Sequence, residues 1–269
     1  MIKYNLSKSL IHAFNEVEMK ERCPLAFKKE FLEKLPEFQK PYYPSTAMGM
    51  GNYFEFLVTG EKLRDGTEPY PATLKSGKPS TDAVRIQQRA EKAKKFLYDY
   101  LKIEDLKSGV KLELEYNGRN VKGILDILCK LNGKPAIIDL KMSGLIGNKC
   151  EKYGWHVDNF NYHKLQAQIY KWLWWKIEGK EIPFYYLVFS NKAKENILYW
   201  EVKYYSSESF LADMEKLESN FKYVNDQIEF YDKITSWEGT NDFEHCNNCP
   251  AENCEKRLYF PKPFKIYIS

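Results

Sequence analysis

The sequence predicts an α/β fold in which one mixed sheet, opened by an antiparallel three-strand meander, is flanked by helices. Three observations predict it. Apolar residues spaced by three and four up to residue 102 give way to alternation over 110–116. Two Asn-Gly pairs, Asn117-Gly118 and Asn132-Gly133, then separate short apolar runs, the pattern of consecutive hairpins. Helical spacing returns from 163, followed by two more apolar runs and a long amphipathic stretch.

Taken in order, residues 5–34 read as two short helices. Ser7 and Ser9 both suit an N-cap, and Cys23-Pro24 opens the second helix with proline in its first turn. Three prolines make 36–46 a loop, 48–60 reads as a helix carrying Glu55, and polar 61–80 reads as a surface excursion. Ile86, Ala90, Ala93, Leu97 and Tyr100 mark one face of a helix over 82–102. The meander follows as 110–116, 121–130 and 136–141. A loop over 143–162 leads to a helix over 163–178, strands over 184–189 and 197–204, and a helix over 207–231 striped by Phe210, Met214, Leu217, Phe221, Val224, Ile228 and Tyr231. The tail beyond 240 is a Cys-rich knot with a Pro-containing extension. A single domain over 1–269 is expected, with its core at about 82–204 and the Cys cluster joining helices 5–60 to residues 207–269.

Composition allows one sizeable core: 269 residues, 43% hydrophobic. Aromatics reach 16%, with 20 Tyr and 6 Trp, more than a core needs. The net charge of +4 permits a nucleic-acid partner if the basic groups cluster. No signal peptide is visible and no apolar run is long enough to cross a bilayer, so a cytoplasmic setting is expected. In that setting the six cysteines read as ligands or buried thiols rather than disulfides.

Three charged side chains sit inside apolar strands: Asp126 in Gly123-Ile124-Leu125-Asp126, and Asp139 and Lys141 in Ile137-Ile138-Asp139-Leu140-Lys141. Such charges are costly unless paired or bound to a metal. Alternation puts Ile124 with Asp126 on one face of their strand, and Asp139 with Lys141 on one face of theirs. The tight turn makes the two strands neighbours, so the acids can converge. Magnesium prefers oxygen ligands and keeps several waters, so two or three protein oxygens suffice. Ion pairing of Asp126 or Asp139 with Lys130 or Lys141 is the plainer explanation; the preceding Gly-x-x-Asp and the apolar setting favour a metal site.

These residues resemble the PD-(D/E)XK nuclease superfamily. Gln166-Ala167-Gln168-Ile169-Tyr170 follows at the distance where RecB-like members carry a Q-x-x-x-Y motif, with Gln166 and Tyr170 one turn apart on one helix face. The resemblance implies a restriction-endonuclease-like core. It implies Mg2+ (or Mn2+) on Asp126, Asp139 and the Leu140 carbonyl, Lys141 activating water, and Gln166 and Tyr170 beside the DNA backbone. Gly51-Asn52-Tyr53-Phe54-Glu55 resembles the earlier helix that supplies a further ligand, which would be Glu55. Many RecB-like members have His where this chain has Phe54.

Cys246-Asn247-Asn248-Cys249 and Cys254 place three thiols in nine residues. His245 could complete a Cys3His zinc knot. Alternatively Cys23 could be the fourth ligand: one early and three late cysteines around a nuclease core resemble the iron–sulfur exonucleases, the AddB-type nuclease domain and the CRISPR-associated adaptation nucleases. That likeness implies a 4Fe–4S cluster on Cys23, Cys246, Cys249 and Cys254. Cys129 reads as a buried thiol and Cys150 has no assigned role.

Basic candidates for contacting DNA are Arg85, Arg89, Lys92, Lys94 and Lys95, and Lys149, Lys152 and Lys164, although a solvated helix face explains the first group equally. Tyr153, Trp155, Phe160 and Tyr162 could stack on unpaired bases or form loop core; Trp172, Trp174 and Trp175 read as packing. The expected function is a metal-dependent DNA exonuclease of end-processing, recombination or repair. Its substrate would be DNA with a free end or single strands, with a recombination or helicase partner in prospect. A structure-specific or restriction-type endonuclease, and a non-catalytic DNA-binding or zinc-knot module, are the alternatives.

Overall fold

The computed structural model describes residues 4–36, 38, 46–62, 69, 78–147, 154–192, 197–234 and 237–239, without the side chains of 46–48. The chain divides into two compact units, one of residues 1–41 and 219–269, the other of 42–218.

The first unit holds the short strand β1 (Asn5–Leu6), α1 (Lys8–Glu18) and α2 (Pro24–Phe27), which runs on through a π-helical turn, Lys28–Leu32. Ser7 caps α1 by accepting from the Leu10 amide at 3.3 Å, and Pro24 opens α2. Ser9, the other candidate cap, lies inside α1. Phe27 is the core of this unit, with ring centroids of Phe14 at 5.6 Å and Trp237 at 5.7 Å. Arg22 ties Glu16 and Glu30, each at 2.9 Å.

The second unit is the sandwich. Its elements are α3 (Thr46–Thr59), α4 (Thr81–Lys95), β2 (Glu104–Tyr116), β3 (Arg119–Leu131), β4 (Lys134–Ser143), α5 (Phe160–Glu178), β5 (Phe184–Ser190), β6 (Ile197–Val202) and α6 (Ser207–Lys233), the last belonging to this unit through Glu218. Among the described residues its sheet order is β2-β3-β4-β5-β6. The meander pairs antiparallel, β4 and β5 are parallel with α5 as their crossover, and β6 returns antiparallel. This is the α/β mixed sheet flanked by helices that the pattern predicted.

Among the boundaries that differ from the sequence expectation, two have a local backbone cause. The helix over 82–102 ends α-helical at Lys95 and finishes in a π-helical turn, Phe96–Tyr100. Strand β2 starts six residues early, because Asp105 (φ 51°) and Gly109 (φ 60°) bend it through an irregular register that period-two counting does not see.

Each sheet face has its own partner. Ile138 and Leu140 face the core under α3 and α4, built from Phe54, Ile86, Ala90, Leu97, Ile127, Cys129 and Phe189. The alternate residues Ile137, Asp139 and Lys141 face α5. Cys129 is a buried thiol, its pKa pushed up to about 11 by that burial.

Candidate active site

The site forms where β3 and β4 part. Their ladder ends at Ile127 opposite Ile138, and the same register sets Asp126 opposite Asp139. Beyond that point a side chain takes over from the backbone: the Leu140 amide donates to Asp126 Oδ2 at 2.9 Å. Lys141 follows, its ammonium against Asp139 Oδ2 and 3.6 Å from Asp126 Oδ2. It also donates to the Leu140 carbonyl at 3.3 Å. Asp139 is fully buried, and Lys141 keeps about a third of its side chain exposed.

Helix α5 closes the site from above. Gln166 Nε2 donates to Asp139 Oδ1 at 2.6 Å and to the Tyr170 hydroxyl at 3.3 Å. Tyr170 donates in turn to the Ile124 carbonyl at 2.7 Å. That approach requires Gly123, since a Cβ there would lie 2.5 Å from Tyr170 Cε1. Gln168 points elsewhere, to Asp213 at 2.7 Å.

The electrostatics are those of acids brought close together. Burial, and then the Asp126 carboxylate, push Glu55 up to about 8, with Asp139 and Glu61 adding to the rise and Lys141 opposing it. Glu55 therefore shares the field of the Asp126–Asp139–Lys141 centre. Burial alone would lower Lys141, but Asp139 and Asp126 hold it well above the lysine range, so it is an ammonium donor. Burial, with the Asp139 and Asp126 charges, raises Tyr170, which stays a phenol able to donate. Phe54, beside Glu55, is buried against Phe189 at 5.3 Å and takes no part.

The superfamily profile of PD-(D/E)XK nucleases matches residues 13–254. The chain belongs to the PD-(D/E)XK nuclease superfamily. Membership carries hydrolytic nuclease chemistry. A solved structure from Eubacterium rectale, described as a "Putative exonuclease", overlays with a TM-score of 0.59 at 18% identity, over 97% of this chain and 91% of that one. A second, SSO0001, overlays with a TM-score of 0.41 at 14% identity, over 96% and 89%. No curated protein matches the sequence.

PD-(D/E)XK nucleases typically use Mg2+ or Mn2+. The donors suit such a hard cation: the Asp126 and Asp139 carboxylates and the Leu140 carbonyl are all oxygen. Among the described residues, no three Asp, Glu, His or Cys side chains form a ready-made cage, so water would complete the shell.

Several sequence candidates have other partners. Arg89 is buried and donates to the Ser190 carbonyl at 3.2 Å and the Lys192 carbonyl at 3.3 Å. Arg85 donates to Asp82 at 2.8 Å and the Asn191 carbonyl at 3.0 Å. Both are fasteners for the turn after β5, not groove cations. Lys92, Lys94 and Lys95 share their helix, which lies against the sheet face opposite Asp139. Lys164 is tied to Asp213 at 2.6 Å. Trp155 is loop core: it is buried, stacked on His163 at 3.8 Å and edge-on to Tyr186 at 5.1 Å. Phe160 and Tyr162 are half-buried, in edge contacts with Trp200 and His163. Trp172 packs edge-on against Tyr116 at 5.2 Å, Trp175 edge-on against Phe210 at 5.7 Å, and Trp174 is buried. Lys149, Cys150, Lys152, Tyr153, His245, Cys246, Cys249 and Cys254 lie outside the described residues, and Cys23 is buried at the N-cap of α2.

Sequence reasoning missed Lys192 and Asn191. They stand on the arginine-pinned turn at the end of β5, and both reach Gly144, three residues past Lys141; a Cβ on Gly144 would meet Lys192 Cε at 2.6 Å and Asn191 Oδ1 at 2.8 Å. An exposed lysine in a polar turn carries no sequence signal, so only its place beside the strand end reveals it.

Proposed function

We propose that this protein is a metal-dependent deoxyribonuclease that trims DNA ends. The convergence of Asp126, Asp139 and Lys141 where β3 and β4 separate carries this reading. Asp126, Asp139 and the Leu140 carbonyl would hold Mg2+ or Mn2+, with Glu55 reaching it through one of the waters. When bound, the metal would act as a Lewis acid on the phosphate and lower the pKa of water. Lys141 orients the attacking water and meets the charge that grows on the phosphoryl oxygens. Gln166 fixes the Asp139 carboxylate, and Tyr170 fixes Gln166 against β3. Water oxygen bonds to phosphorus as the P–O3′ bond breaks; the 3′ oxygen leaves with a proton, giving a 5′-phosphate and a 3′-hydroxyl. Lys192 contacts the backbone of the same strand.

The exonuclease preference is supported by the fold shared with the Eubacterium rectale protein, whose description names that activity. Recombination or repair is the setting in which such trimming is used. A 4Fe–4S cluster on Cys23, Cys246, Cys249 and Cys254 is part of this reading, with zinc on Cys246, Cys249, Cys254 and His245 the alternative. The spacing of those residues supports the cluster, and the superfamily match spans all four cysteines. Both units together would act as one nuclease domain.

End-labelled linear and closed circular DNA, with Mg2+ and with EDTA, test this. Loss of label from linear DNA alone, stopped by EDTA and abolished in Lys141→Ala, is the expected result. Undiminished cleavage by a clean Lys141→Ala preparation sinks the assignment, and cutting of the closed circle makes the enzyme an endonuclease. Anaerobically purified protein should carry iron that Cys249→Ser loses.

A further inference from the structure

Helix α5 carries two polar stripes, and the active site uses only one. Gln166 and Tyr170 face Asp139 and the Ile124 carbonyl. On the other side, Lys164, Gln168, Trp172 and Lys176 recur every fourth residue. Lys164, Gln168 and Trp172 each lie two residues, about 200° around the helix, from Gln166 or Tyr170, and Lys176 lies about 240° from Tyr170, at about 100° per residue. All four end on two carboxylates of α6. Asp213 accepts from Lys164 at 2.6 Å and Gln168 at 2.7 Å. Glu218 accepts from Trp172 Nε1 and from Lys176, each at 2.8 Å.

Each carboxylate also takes a tyrosine from the sheet. Tyr204, just after β6, donates to Asp213 at 2.6 Å, and Tyr116, at the end of β2, donates to Glu218 at 2.9 Å. Strands β2 and β6 lie at opposite ends of the order β2-β3-β4-β5-β6. The two acids thus fasten α5 at two points along its length, each referred to a different side of the sheet. Because both anchors grip the same face of α5, a roll of the helix about its own axis would pull all four side chains off their carboxylates at once. Turning α5 would swing Gln166 away from Asp139 by the same angle that moved Lys164 or Gln168 off Asp213.

We propose that Asp213 and Glu218 are positioning residues of the nuclease site, setting the roll of α5 and through it the placement of the Asp139 carboxylate. This inference rests on the nuclease reading above. In Asp213→Asn and Glu218→Gln, kcat per folded molecule falls about tenfold to a hundredfold, as for a small misplacement of a reacting group. KM for DNA changes less than about twofold, because no substrate contact is lost. In a Gln166→Ala background, Asp213→Asn lowers kcat less than about twofold further, since the side chain it positions is already gone. Tyr204→Phe removes a single donor, so it carries the test should Asp213→Asn not fold; its kcat falls in the same direction by a smaller factor.

An unchanged kcat per folded molecule in these variants overturns the proposal. So does an Asp213→Asn loss that is just as large without Gln166, because that is the signature of a purely structural role. Wild-type protein that cleaves no DNA with magnesium instead removes the nuclease reading, and the inference with it.

Discussion

Gly123 shows how much of the site depends on a missing atom. Its bare Cα lets the Tyr170 ring lie against β3 with the hydroxyl on the Ile124 carbonyl. Gly123→Ala would place a methyl 2.5 Å from Cε1, where something must shift. Overpacking of this kind costs about 1 to 3 kcal/mol. The expected outcome is a lower urea midpoint with a fall in kcat, and a normal kcat would mean that Tyr170 tolerates displacement. The sequence made this residue legible, since Gly-x-x-Asp on a strand advertised a close approach, and alternation put Asp139 with Lys141 on one face. It did not reveal the particular neighbour. Nor did it separate Arg89, whose charge serves two backbone carbonyls, from a cation left for a phosphate, because composition is the same in both cases.

Among the elements, α6 behaved as its stripe suggested, but its acids had been passed over. Asp213 falls three residues after Phe210 and four before Leu217, on the apolar side, and an acid there is a visible request for donors. Burial pushes both carboxyls up. Lys164, Tyr204 and Gln168 around Asp213, and Lys176, Trp172 and Tyr116 around Glu218, more than reverse it, so both pKa values lie below their ordinary values. A depressed acid stabilises the fold at pH above its unfolded value, about 4 for these groups, and the contribution disappears as pH falls through the folded value. Urea unfolding between pH 7 and pH 2 should therefore show stability falling below about pH 4. The Asp213→Asn, Glu218→Gln double variant should be weaker at neutral pH and lose less over that acid range. Equal slopes would place the acid sensitivity elsewhere. The turn after β5 is a second element whose fastening can be tested. Arg89→Met strands the Ser190 and Lys192 carbonyls and should cost about 2 to 3 kcal/mol in the same assay. A cost within error would show that water replaces the guanidinium.

For the molecule as a whole, a net charge of +4 from 41 basic and 37 acidic residues leaves recognition to placement rather than to bulk attraction. Many of the basic groups visible in the sequence turn out to be engaged within the protein, and Lys192 stands beside Gly144 past the ends of β4 and β5. Lys192→Ala should weaken DNA binding evenly across sequences, leave kcat near normal, and make the slope of log affinity against log salt shallower by about 1. An unchanged slope would take Lys192 off the substrate path. The layered architecture was readable from period changes and Asn-Gly turns because those are local. The engagement of each charge was not, because it depends on contacts between segments as distant as residues 89 and 190. The amide of Leu140 adds a last implication. Since the carboxylate at 126 also completes the main-chain ladder, a descendant that abandoned cutting would still keep an acceptor there. Asparagine would serve such a relic; alanine would leave a dry donor inside the sheet and forfeit the architecture along with the chemistry.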